Sequence, residues 1–147
     1  MYEENKKTVL KGRGLVEGRA EGKALVTSQP ISFYGGVDPL SGVVTERGHE
    51  LEGKAISGKI LVFPYGKGST VGSYVIYHMA KIGTAPLAII NLESEPIIVA
   101  GCVLANIPLV DKLDKDPIKT IETGDMVQVN GNHGIVVILS KSRKHKQ

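Results

Sequence analysis

The sequence predicts one α/β domain: a mixed β-sheet with flanking hairpins and two main helices. Three observations carry this expectation. In the middle of the chain, short apolar runs of strand length alternate with two segments of helical spacing, the order that builds a parallel or mixed layer. Nearer both ends, alternating apolar runs flank glycine-rich turns, as antiparallel hairpins do. The chain has 147 residues and 18 glycines, enough for a single core with many tight turns. No internal repeat is visible, so the expected division is one domain over 1–140 and a basic tail over 141–147.

The elements follow in order. "TVLKGRGLVEG" from Thr8 and "GKALVTSQ" from Gly22 read as two strands joined by "RAEG", a hairpin closed by Pro30. Ser32 to Gly58 is a long stretch dense in Gly, Asp, Pro and Ser. Connections of that length are functional or partly structured, although a solvated surface loop is the simpler alternative. "KILVFP", Lys59 to Pro64, is a buried strand. From Gly72, "GSYVIYHMAKIG" is helical, with Tyr74, Ile76, Tyr77, Met79 and Ala80 sharing one face and Gly83 as the stop. "APLAIINL" is a further strand. In "SEPIIVAGCVLAN", Ser94 is the candidate N-cap and Pro96 lies in the first turn of a second helix. "IPLVD" is a third short strand, "KLDKDPIKTIETGD" a polar connection, and "MVQVNGNHGIVVILS" a hairpin around "NGNHG".

Composition narrows the function classes. Hydrophobic residues make up 41% and charged residues 22%, an ordinary globular balance. With two Phe, five Tyr and no Trp, a base-stacking platform for nucleic acid is not expected. The formal charge is +3, but Lys141, Arg143, Lys144 and Lys146 all lie in the tail, and the rest sums to about −1. The basic character is therefore a property of a solvated end. The one cysteine, Cys102, excludes a disulfide framework and a metal cluster held by cysteines of this chain alone; in "IIVAGCVLA" it reads as a buried, inert thiol. Neither a signal-like stretch nor a run of ~18 apolar residues appears, so no membrane contact and a cytoplasmic location are expected.

The stretch "YGKGSTVGS", Tyr65 to Ser73, is the candidate site. A strand, a glycine turn at Gly66–Gly68 and a helix start place converging backbone N–H groups where an anion is favoured. The spacing fits neither the Walker loop, since Lys67 lies between the glycines, nor the dinucleotide fingerprint, since Gly66, Gly68 and Gly72 are wrongly spaced. Ser69 or Thr70 would serve as an N-cap. The same geometry would also expose a hydroxyl beside positive backbone dipoles, which lower the cost of an alkoxide acting as a base. No Ser–His–Asp arrangement is evident. His78 is on the helix, His133 in a hairpin turn and His145 in the tail, leaving His49, beside Arg47, as the plausible companion; Arg47 could clamp a carboxylate or phosphate.

"SFYGGVDPLSG", "GKILVFPYGKGSTVGSYVIY" and "PLAIINLESEPIIVAG" together resemble the small subunit of the aconitase X family, over about Leu15 to Leu139. The resemblance implies a swivelling β/β/α domain of the aconitase type and a separate large subunit that holds a 4Fe-4S cluster. This chain would hold no cofactor and no metal. The turn is also similar to the "G-x-G-S-S-R-E" turn of isopropylmalate isomerase-like small subunits. There an arginine binds a substrate carboxylate, whereas this chain has Val71.

What the resemblance implies for the chemistry is a hydro-lyase of a modified mevalonate pathway, leading to isoprenoids, in its archaeal members. Water is lost from (R)-5-phosphomevalonate to give trans-anhydromevalonate 5-phosphate, with Ser69 as proton acceptor. Gly66, Lys67, Gly68, Thr70, Arg47 and His49 are expected near the site, with Lys67, Arg47 or the large subunit substituting for the missing arginine. The partners expected are the large subunit, as a heterodimer or higher assembly, and a phosphorylated hydroxy acid. Alternatives are a cis-3-hydroxyproline dehydratase subunit, a phosphocarrier, or an anion-binding module. A phosphocarrier should have a histidine in its glycine-rich turn, and this turn has none.

Overall fold

The computed structural model describes residues 7–142. Its elements in chain order are β1 (Thr8–Lys11), β2 (Arg13–Val16), β3 (Arg19–Val26), a helical turn α1 (Phe33–Gly36), β4 (Val37–Asp38), β5 (Val43–Val44), β6 (Ile60–Val62), α2 (Gly72–Ile82), β7 (Ala88–Ile90), α3 (Pro96–Ala105), β8 (Leu109–Asp111), α4 (Pro117–Thr120), β9 (Met126–Asn130) and β10 (Ile135–Ser140).

Eight strands form one mixed sheet in the order β1-β10-β9-β3-β6-β7-β8-β2. The strand–helix–strand–helix–strand centre is as expected: β3, β6, β7 and β8 are parallel neighbours. The β9–β10 hairpin is antiparallel, also as expected. The first hairpin is not formed. β1 pairs with β10 and β2 with β8, while "RAEG" lies inside β3, held by its register against β9. Because β1 and β2 flank Gly12 in the chain and occupy the two ends of the strand order, the sheet closes on itself.

Closure explains the two cores. Along each strand, alternate side chains point to opposite faces. Ile60, Val62, Ala88, Ile90 and Val110 join Leu10, Val127, Val129 and Val136 inside the closed sheet. Leu61, Phe63, Ile89 and Leu109 face outward, where α2, α3 and the segment after Ile31 cover them. The parallel strands read as unbroken apolar runs because both their faces are buried. The long stretch over 32–58 is no solvated loop: Phe33, Val37, Val44, Leu51 and Ile56 are all buried in the outer core, and β4 pairs with β5.

Where the β1–β2 run crosses the β9–β10 turn, backbones come so close that only glycine fits. A methyl group on Gly14 would run into the Gly131 carbonyl, and one on Gly131 into the Val16 carbonyl. Gly14→Ala is expected to lower the unfolding free energy by about 1–3 kcal/mol, read as a reduced urea midpoint of the full chain. An unchanged midpoint would show that the crossing has room to spare. Nearby, the buried Asp111 accepts both Arg13 bonds at 2.9 Å and the Ser94 N–H at 2.8 Å, tying β2, β8 and the start of α3 together.

Three local expectations need correction. On α2 the buried residues are Gly72, Ser73, Ile76 and Met79, capped by a left-handed Gly83. Tyr74 and Tyr77 lie outside that stripe, with Tyr74 66% exposed. The N-cap of α3 is Glu95, not Ser94, whose hydroxyl instead donates to Asn91. The tail is attached at its start: Lys141 pairs with the buried Asp125 at 2.7 Å, and Asp125 also accepts the Ser142 N–H. Arg143, Lys144, His145 and Lys146 lie outside the described residues, and so do the first six residues. Among the described residues, no helix is long and apolar enough to cross a membrane.

Candidate active site at the glycine-rich turn

β6 runs out at Val62 and delivers Tyr65 to Gly68 to the end of the parallel strands, just before α2. The incoming limb of the turn is held on one side by the chain at Ile31. Gly66 bridges to Ile31 in parallel, the Ile31 N–H donates to the Tyr65 carbonyl at 3.3 Å, and the Lys67 N–H donates to the Ile31 carbonyl at 3.0 Å. On the other side the Gly66 N–H donates to Glu95 Oε1 at 2.8 Å. Gly66 has no room for a side chain: a Cβ there would lie 2.6 Å from Ile98 Cγ1.

Beyond Lys67 the chain arches. Gly68 has φ +90°, and a Cβ on it would meet Ser32 Oγ. Ser69 follows, exposed at the top of the arch together with Thr70. The Val71 N–H donates to Ser69 Oγ at 3.1 Å, and the Gly72 N–H donates to the Ser69 carbonyl at 2.9 Å. Neither Ser69 nor Thr70 is the N-cap of α2: the cap position is Val71, with no side-chain cap bond, and Ser69 Oγ instead closes a short turn just before the helix. That oxygen organises the approach to α2, and a backbone N–H and the helix start face it, favouring negative charge on it. Ser73, one turn on, donates its hydroxyl to the Thr70 carbonyl at 3.0 Å and is buried.

Lys67 reaches across to Glu46 at 2.9 Å. This pair is partly exposed and adds little stability, but it stands between two open clefts. One, of about 350 Å³, is lined by Ser32, Tyr34, Gly35, Glu46, Lys67 and Gly68, among others. The other, of about 180 Å³, includes Glu46, Arg47, His49 and Lys67. The structure thus brings Lys67, Gly68, Arg47 and His49 to one region. Ser69 and Thr70 line neither cleft; they follow Gly68, which lines the first. Arg47 is exposed, and among the described residues its guanidinium has no acid partner.

His49 is a structural group in this geometry. It is 7% exposed; Nδ1 accepts the Leu51 N–H at 3.0 Å, so Nε2 carries the proton and donates to the Pro30 carbonyl at 3.0 Å. It fixes the loop that carries Arg47. Sequence reasoning missed Glu46, Glu50 and Glu95. Glu50 binds Thr27 Oγ1 at 2.5 Å and the Ser28 N–H at 3.1 Å, and these bonds hold its carboxyl below the usual range. The signals were indirect: an acid facing a lysine, and an acid directly before a helix-starting proline. His78 and His133 are exposed, away from this turn.

Among the described residues no three His, Cys, Asp or Glu side chains converge as metal ligands. Cys102 is buried on α3, and burial, with a smaller contribution from the Glu95 charge, pushes its thiol far up. A cluster ligand must be a thiolate, and the buried Cys102 thiol is not poised to become one. Cys102 is expected to resist iodoacetamide at pH 8 in the folded chain and to react fully in denaturant, read by mass spectrometry. Rapid labelling of the folded chain would contradict its burial.

Residues 9–138 match the model of the aconitase X swivel domain. The chain is 55% identical to a phosphomevalonate dehydratase small subunit from Methanosarcina acetivorans, over 88% of this chain and 90% of that relative. It is 54% identical to the protein of that name from Methanosarcina mazei, over 89% and 91%. A chain of the crystal structure of Thermococcus kodakaraensis aconitase X in its holo-form superposes with a TM-score of 0.86 at 49% identity, covering 90% of this chain and 99% of that one.

Proposed function

The chain belongs to the aconitase X swivel-domain family, and on that premise we propose that it is the small subunit of a phosphomevalonate dehydratase, with Ser69 as its base. The observation that carries the reading is the arch at Gly68–Gly72. It presents a hydroxyl oxygen to solvent just before α2, one residue beyond Gly68, which lines a cleft together with Lys67. About half of the residues are identical to those of proteins named phosphomevalonate dehydratase small subunit, over nearly their whole length, which supports that substrate.

The reaction removes water from (R)-5-phosphomevalonate. Ser69 Oγ takes a proton from C2, the carbon next to the carboxylate. The pair of electrons from that C–H bond becomes the C2–C3 double bond, the 3-hydroxyl departs as water after gaining a proton, and trans-anhydromevalonate 5-phosphate remains. A proton α to a carboxylate is weakly acidic, so orientation and stabilisation of the developing charge must contribute heavily. In this chain the Val71 N–H and the start of α2 stabilise the Ser69 alkoxide. Lys67, released from Glu46, and Arg47 meet the substrate's anionic groups, in place of the arginine for which Val71 stands. The 4Fe-4S cluster is assigned to the large subunit, and the complex to the cytoplasm.

Co-expression with the large subunit under anaerobic conditions tests this reading. The two chains are expected to co-purify and to convert phosphomevalonate to its anhydro product. Failure to form a complex overturns the subunit reading. A complex that dehydrates cis-3-hydroxyproline but not phosphomevalonate overturns the substrate.

A further inference from the structure

We propose that Glu95 is the positioning residue of the serine turn: one carboxylate shared between the start of α3 and Gly66 holds Ser69 in its reactive place. The inference rests on Ser69 being the base. Glu95 Oε2 accepts the Ile97 and Ile98 N–H groups at 2.9 and 3.3 Å, and Oε1 accepts the Gly66 N–H at 2.8 Å.

The identity of the residue is the first argument. The residues preferred at an N-cap are Ser, Thr, Asp and Asn, whose short side chains fold back to the first helical N–H groups. Ser94 stands next door and is passed over. Glutamate is a poor choice for capping alone. Its extra methylene lets the carboxylate span from the helix to a second segment 29 residues away in sequence.

The second argument is the arrangement of anchors. Gly66 is held on one side by the Ile31 bridge and on the other by Glu95, and Ile98 leaves no space for it to move in that direction. Three residues later comes Ser69. A tether lost at Gly66 frees the incoming limb of the arch, and a displacement of about 1 Å of a catalytic group costs on the order of 10²-fold in rate.

The test separates cap from tether. Glu95→Asp keeps a preferred N-cap for α3 but is one methylene too short to reach Gly66. In the assembled complex it is expected to leave the melting temperature within about 2 °C. The turnover number is expected to fall at least about tenfold with KM within about threefold. Amide hydrogen exchange over 65–72 is expected to accelerate. Glu95→Ser, a second good cap, should behave alike if the aspartate variant assembles poorly. An unchanged turnover number in the variants overturns the proposal. So does a loss that only follows a lowered melting temperature. If the wild-type complex shows no dehydratase activity, the functional reading fails instead; slowed or unchanged exchange over 65–72 would still overturn the tether.

Discussion

Replacing Ser69 with alanine is expected to leave the complex assembled and to lower its turnover number by a factor of roughly 10²–10⁴, the usual contribution of a positioned general base. Assembly should survive because Ser69 is exposed and its side chain makes one hydrogen bond, accepted from the Val71 N–H at 3.1 Å. Losing that bond costs about 1 kcal/mol, and α2 keeps its interior packing through Ile76 and Met79. Ser69→Thr restores a hydroxyl, but with a methyl group at the top of the arch, and should recover part of the rate. If the alanine variant turned over at the wild-type rate, Ser69 would be a helix-entry residue and nothing more.

Gly68→Ala should be nearly as damaging, for a different reason. At φ +90° a Cβ is strained by about 1–2 kcal/mol, and here it would also meet Ser32 Oγ. Ser32 has little freedom to yield, because its hydroxyl donates to the Tyr34 carbonyl at 2.9 Å. The arch must therefore rearrange at the residue next to Ser69. The expected result is a loss of turnover of about 10²-fold with an intact core, since Gly68 is exposed. A crystal structure of the variant with an unmoved Ser69, or a wild-type rate, would refute this account of the turn.

Much of this was legible from the residues, and the parts that were not share a cause. The parallel centre announces itself because strands buried on both faces read as continuous apolar runs, as at Ile60–Val62 and Ala88–Ile90. The first segments mislead because their partners are remote: Thr8 pairs with Ile138, and Arg13 with Asp111. Nothing local marks a run that closes a sheet rather than folding into a hairpin. The α2 face was misassigned at Tyr74 and Tyr77, since tyrosine suits both a core and an exposed surface. The exposed turn that carries Ser69 was legible because a strand, a glycine pair and a helix start follow one another in the sequence; the role of Ser69 as base is what the family resemblance implies. His49 looked like a site companion through its neighbour Arg47, yet both its ring nitrogens are committed to backbone. Glu46 and Glu95 matter through contacts 21 and 29 residues away, and at Glu95 this tertiary demand overrode the local preference for Ser94.

The role of Ser69 is tested most directly by running the reaction backwards in D₂O. The assembled complex is given trans-anhydromevalonate 5-phosphate, and deuterium at C2 of the phosphomevalonate formed is read by NMR. The wild-type complex is expected to place one deuteron at a single position of C2, and the Ser69→Ala complex to do so at least about 10²-fold more slowly. Incorporation by the alanine variant at the wild-type rate would place the base on another residue.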